Sequence, residues 1–99
     1  MFTIQRTQVF IDWFVGLKDS SGKARILARI TRAEGGNLGD IKAVGDGVNE
    51  MRLDTGPGYR LYFSRRGQTV YLLLCGGDKA SQAKDIARAR QMAQQLPPE

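Results

Sequence analysis

Near residue 40 the hydrophobic period of this chain changes from that of a helix, about 3.6, to that of a strand, about 2. Four short alternating stretches follow: Asp40 to Val44, Val48 to Asp54, Tyr59 to Ser64 and Thr69 to Cys75. They are parted by Gly45-Asp46-Gly47, Gly56-Pro57-Gly58 and Arg65-Arg66-Gly67-Gln68. Spacers this short cannot carry a crossover helix, so consecutive strands must pair antiparallel. The prediction is a four-strand meander. Its last strand is apolar on both faces through Val70-Tyr71-Leu72-Leu73-Leu74, which suits the interior of a sheet.

The residues before this meander read as a strand and two helices. Phe2-Thr3-Ile4-Gln5 alternates, and Thr7 is a candidate N-cap. From Gln8 to near Lys18, Val9, Phe10, Trp13, Phe14 and Leu17 recur at helical spacing. After a break at Asp19-Ser20-Ser21-Gly22, a second helix runs from about Ser21 to Glu34. It carries Ile26, Leu27, Ile30 and Ala33 on its apolar side and Arg25, Arg29 and Arg32 on the other. Gly76-Gly77 is read as a turn, and Asp78 as the cap of a last helix from about Lys79 to Leu96 with a stripe of Ile86, Ala89, Ala93 and Leu96. The expected fold is therefore α+β, one domain over residues 1–99. A twisted antiparallel sheet, the meander plus the N-terminal strand, packs on an N-terminal helical hairpin, and a C-terminal helix follows.

Composition removes whole classes of chemistry. Among the 99 residues there is no histidine and a single cysteine, Cys75. Without imidazole this chain cannot build a Ser-His-Asp triad, a Cys-His nucleophile, a His-based metal site or an imidazole proton shuttle. Acid and base work falls to Lys, Arg, Tyr, Asp or Glu. The formal charge is +5, from 15 basic and 10 acidic residues, and the bases comprise 10 Arg and 5 Lys. Arginine is the better bidentate partner of phosphate, so a polyanionic partner is the first expectation. The apolar run Leu72–Cys75 is far below the roughly 20 residues of a membrane span, and Met1-Phe2-Thr3 lacks the start of a signal peptide. The expected location is the cytoplasm, with no membrane partner.

Alternation places Arg60 and Tyr62 on one face of their strand, and Glu50 shares a face with Arg52. If the apolar faces pack on the helices, Lys42, Arg52, Arg60 and Tyr62 converge on the open side, where cations can grip a phosphodiester. The alternative is a solvated face with cross-strand Arg–Glu pairs. Arg25, Arg29 and Arg32 are either a phosphate-facing stripe or the wet side of an amphipathic helix. Arg65-Arg66 sits at a hairpin tip, where charge is ordinary. The two Gly-rich turns lack the spacing of phosphate-binding loops. Trp13 reads as core, and Cys75 as an inert buried thiol.

Four ordered segments carry a resemblance: Gly36-Asn37-Leu38-Gly39-Asp40-Ile41-Lys42, Val44-Gly45-Asp46-Gly47-Val48-Asn49-Glu50-Met51-Arg52, Gly56-Pro57-Gly58-Tyr59-Arg60-Leu61-Tyr62-Phe63 and Leu73-Leu74-Cys75-Gly76-Gly77-Asp78-Lys79-Ala80-Ser81-Gln82. Together they resemble the RelE/ParE toxin superfamily, in particular its HigB-like addiction-module killer proteins. The likeness runs from about Trp13 to Ala89. It implies a RelE-like fold and a toxin of a type II toxin–antitoxin system. RelE and HigB toxins cleave mRNA on the ribosome by 2′-OH attack, leaving a 2′,3′-cyclic phosphate, with neither metal nor cofactor. The implied partners are mRNA on the ribosome and a helix-turn-helix, HigA-like antitoxin. Carried over residue by residue, Lys42 matches the base or electrostatic activator and Arg60 the arginine that holds the scissile phosphate. Lys79 lies where relatives keep a late acid, and Arg52, Tyr62, Arg65 and Arg66 are candidate substrate contacts. RelE toxins keep a C-terminal tyrosine and HigB toxins late histidines, whereas no tyrosine follows Tyr71 here. The superfamily also holds ParE toxins, which bind DNA gyrase without cutting RNA, and that alternative stands beside the first.

Overall fold

Each predicted hairpin turn closes. Gly45, Asp46 and Gly47 have φ of 106°, 54° and 73°, the left-handed backbone that lets a tight turn follow strand twist. The computed structural model describes residues 1–98. Its strands are β1 (Thr3–Arg6), β2 (Ile41–Gly45), β3 (Val48–Arg52), β4 (Tyr59–Arg66) and β5 (Val70–Asp78). Their order in one sheet is β1-β5-β4-β3-β2. From β2 to β5 every pairing is antiparallel, as the short spacers require.

One expectation is corrected at the other edge. β1 pairs with β5 in parallel, Thr3 opposite Val70 and Arg6 opposite Leu73, so the sheet is mixed rather than antiparallel. The cause is the long excursion between them. The chain leaves β1 into two helices, enters the sheet at its far edge, and walks back strand by strand until β5 lies beside β1 with the same direction.

Helices α1 (Gln8–Gly16) and α2 (Ser20–Glu34) cover one face of the sheet, and α3 (Gln82–Gln94) covers part of the other. Thr7 caps α1 by accepting from Phe10 N at 3.1 Å, and its hydroxyl donates to Leu74 O at 2.6 Å, which ties the helix start to β5. Asp19 caps α2 through Gly22 N at 2.9 Å and accepts from the Tyr59 hydroxyl at 2.8 Å. The first core layer joins Phe10, Ile26, Ile30, Leu61, Phe63 and Leu73, each worth about 1.5–3 kcal/mol on burial. The second joins Val48, Tyr62, Leu74, Cys75 and Ala89, with Ile86, Ala93 and Leu96 packed against it.

Two readings of detail change. Arg29 is not on the wet side of α2: it is 9% exposed, while Leu27 is 48% exposed. Arg29 donates to the carbonyls of Leu38 and Asp40, where the chain crosses from α2 to the sheet, and of Arg52 at the end of β3; the Asp40 carbonyl also accepts from Arg52 N. Gly76-Gly77 is not a turn but lies within β5, opposite Leu61 and Arg60. A Cβ on Gly76 would stand 2.3 Å from the Trp13 ring, and one on Gly77 1.8 Å from Asp85 Oδ2. Both glycines are there because large side chains press on the strand from its two faces.

Candidate active site

Sheet register fixes which basic residues are neighbours. Lys42 on β2 is opposite Glu50 on β3, and Glu50 is opposite Tyr62 on β4. One row away, Arg52 on β3 is opposite Arg60 on β4, which in turn is opposite Gly77 on β5. Residues directly opposite share a face, so Lys42, Arg52 and Arg60 all lie on the side of α3. α3 packs over the Val48, Tyr62 and Leu74 end of that face. Arg52 and Arg60 are partly exposed, and Lys42 is exposed.

Arg60 and Lys79 line one cavity of about 350 Å³, together with Asp54, Thr55, Gly56, Pro57 and Gly58. The loop that forms its wall is held by three backbone bonds: Leu53 N to Tyr59 O at 2.9 Å, Gly58 N to Thr55 O at 3.0 Å, and Lys79 N to Pro57 O at 3.4 Å. Gly58 has φ of 78°, and a Cβ there would crowd Lys79 Cβ at 3.3 Å and Arg60 Nη1 at 3.4 Å. Lys79 opens a 3-10 turn (Lys79–Ser81) that Asp78 and Ser81 cap reciprocally. Arg60 Nη1 donates to the Gly58 and Tyr59 carbonyls, which orients the guanidinium, while its Nε is buried with no partner among the described residues. An oriented guanidinium with unspent donors beside an exposed ammonium is suited to holding an anionic tetrahedral group.

The other candidates are not all gathered there. Arg52 Nε donates to Glu50 Oε1 at 3.0 Å, an ion pair within one strand rather than across two. Tyr62 departs from the expectation of a substrate contact: it is 0% exposed beneath α3, and its hydroxyl donates to Glu50 Oε2 at 3.0 Å. Burial and then Glu50 push its phenol far above the ordinary range. Arg65 and Arg66 lie five and six residues along β4 from Arg60, roughly 16–20 Å at the usual strand rise. Arg65 donates to Gln68 O in its own hairpin and sits over the Phe2 ring, and Arg66 donates to the Pro97 carbonyl.

Two acidic side chains shape this face: Glu50, read from the sequence only as a solvated partner for arginine, and Asp85, which the sequence reading missed. Glu50 is 0% exposed and accepts from Arg52, Tyr62 and Gln82. Burial alone would raise its carboxyl, but those three hydrogen bonds outweigh it and hold the group below its ordinary value. Asp85, at the start of α3, lies over Gly77 and accepts from the Ser81 hydroxyl. Gly77, a residue without a side chain inside an apolar strand, marks a close approach but does not say which residue makes it. Cys75 fits the reading of an inert thiol: burial pushes it up to about 11, so it stays protonated.

No protein-family model matches the chain. A Haemophilus influenzae protein described as uncharacterized is 48% identical over 93 residues, which cover 94% of this chain and 94% of that protein. Among the described residues, no helix is long and apolar enough to cross a membrane.

Proposed function

We propose that this chain, which belongs to one family with the Haemophilus influenzae protein, is a toxin of the RelE/ParE type that cleaves mRNA on the ribosome. The observation that carries the reading is the shared cavity of Arg60 and Lys79, with Lys42 and Arg52 on the same face of the adjoining strands. Arg60 grips the scissile phosphate with its unspent guanidinium donors and stabilises the charge that builds on the pentavalent phosphorus. Lys42 draws the proton from the 2′-OH, or activates it electrostatically, as that oxygen attacks the adjacent phosphorus. The P–O5′ bond breaks, Lys79 protonates the leaving 5′-oxygen, and a 2′,3′-cyclic phosphate remains. Arg52, held by Glu50 through Nε alone, keeps its terminal nitrogens for a phosphate oxygen. A helix-turn-helix antitoxin covering this basic face is the partner that the reading calls for.

The test is induced expression in cells, with primer extension of abundant mRNAs against an Arg60→Ala control. New cuts inside translated frames are expected, absent in the control and lost when translation is blocked. Growth arrest with intact mRNA would overturn the nuclease reading and move the search to gyrase and other protein targets.

A further inference from the structure

Across the Asp54–Thr55 turn from the Arg60 cavity lies a second cleft, of about 290 Å³. One wall is the arginine stripe of α2, with Arg25, Arg29 and Arg32 on one side of the helix; Ala28 and Leu53 form the floor. The opposite wall is Asp54 and Thr55, the residues that also line the Arg60 cavity, so the two spaces adjoin. Arg25 and Arg32 are exposed, and Arg29 is buried behind them.

Charge in this cleft is unbalanced. Among the described residues none of the three guanidiniums forms an ion pair, so three positive charges line the cleft against the carboxylate of Asp54, with Asp40 acting on Arg29 from outside the lining. Arg29 is satisfied by carbonyl oxygens alone, which meet its hydrogen-bond demand but do not cancel its charge. Burial first, and repulsion from Arg32 second, hold this guanidinium below its ordinary value, with Asp40 opposing. Thr55 also lines the cleft. An anion seated between Arg25 and Arg32 relieves the repulsion and finds bidentate partners.

We infer that the α2 cleft is a second phosphate subsite, taking a backbone phosphate of a single-stranded nucleic acid whose neighbouring nucleotide occupies the Arg60 cavity. The identity of that strand as a substrate rests on the proposed nuclease reading; the subsite itself does not. A strand laid over Thr55 connects the two spaces.

The probe is a fluorescent all-deoxy oligonucleotide, which has no 2′-OH to cleave, titrated by anisotropy at several salt concentrations. Wild-type protein binds it saturably. The Arg25→Gln/Arg32→Gln pair weakens binding by about tenfold and flattens the logarithmic salt slope by roughly 0.7, the value for one neutralised phosphate of a single strand. The Arg25→Lys/Arg32→Lys pair restores most of that slope. Removing two charges elsewhere, by Lys84→Gln/Arg88→Gln on the exposed side of α3, changes affinity less than twofold. Equal losses from the α2 and α3 pairs, or no saturable binding by wild type, overturn the subsite. Inorganic pyrophosphate binding without strand binding also overturns it and assigns the cleft to a free phosphate compound. If Arg60→Ala leaves cleavage intact while the α2 pair still loses the inert strand, the nuclease assignment fails and the subsite stands.

Discussion

The hydroxyl of Tyr62 donates to Glu50 Oε2 at 3.0 Å, and both side chains are 0% exposed. Gln82, at the first position of α3, donates to the same oxygen at 2.8 Å, and Arg52 holds the other at 3.0 Å. One buried carboxylate thus joins β3, β4 and α3 and fixes an arginine at the candidate site. Tyr62→Phe removes one of its three donors at little cost in volume. The expected loss is about 1–3 kcal/mol, read as a lower urea midpoint with an unchanged slope. Glu50→Gln keeps one accepting oxygen and turns the other into a donor that faces existing donors, and in a double-mutant cycle with Tyr62→Phe the losses should fall short of additive. Strict additivity would show that the two groups act separately.

The same carboxylate sets an acid limit. Its hydrogen bonds hold Glu50 below the ordinary value of 4.5 in the folded chain, so the unfolded chain binds its proton first as pH falls. The stability from this group is therefore complete above the unfolded value and is lost as pH drops through the lower, folded one. Asp19 and Asp46 act in the same direction, held down by Gly22 N and by Arg90 respectively. Urea midpoints should fall as pH drops from about 5 towards 3, and Glu50→Gln should flatten part of that fall. An unaltered profile in the variant would remove Glu50 from the account.

Much of the scaffold was legible because local signals agreed with one another. Thr7 caps α1 as its position suggests, Asp78 caps the short 3-10 turn before α3 rather than α3 itself, and the three turns join consecutive antiparallel strands as expected. What was not legible depends on distant partners. Nothing near Gly76-Gly77 in sequence reveals that Trp13 and Asp85 approach them, so the pair read as a turn. Arg29 fits helical patterning as a wet residue until carbonyls from Leu38, Asp40 and Arg52 arrive beside it. Tyr62 fell on the basic face by alternation, and only the docking of α3 through Gln82 closes water out above it. Alternation identifies a face; it does not say what covers each end of that face.

Gly77 provides a test of that closeness. A methyl group there meets Asp85 Oδ2 at 1.8 Å, so Gly77→Ala must displace the start of α3 or bend β5, at a cost of about 1–3 kcal/mol. Asp85→Ala in the same chain removes the obstacle, and the double variant should be more stable than Gly77→Ala alone. If truncating Asp85 gives no relief, strand geometry rather than the carboxylate demands the glycine.

Arg29 and Arg25 stand one turn apart on α2 and should behave in opposite ways. Arg29→Met strands the Leu38 and Arg52 carbonyls and takes one of two donors from the Asp40 carbonyl, and is expected to cost about 3 kcal/mol. Arg29→Lys rescues little, because one ammonium cannot reach the carbonyls that a planar fork spans. Arg25→Ala, at an exposed position, should change stability by no more than about 0.5 kcal/mol. Thermal unfolding of the three variants separates the structural arginine from the surface one.

The role of Lys79 can be separated from simple phosphate binding by changing the leaving group. If its ammonium protonates the departing 5′-oxygen, Lys79→Ala should slow cleavage of ordinary mRNA on programmed ribosomes by about 10²–10⁴-fold, the usual worth of a general acid. A 5′-bridging phosphorothiolate at the cut position leaves as a thiolate, which needs no proton. On that substrate the same variant should lose less than about tenfold, because the step that Lys79 assists has been removed. Arg60→Ala should be slow on both, since the charge it stabilises sits on the phosphoryl oxygens whichever atom departs. Equal losses for Lys79→Ala on the two substrates would make Lys79 a second phosphate clamp in the 350 Å³ cavity it shares with Arg60, and would leave the leaving oxygen to water.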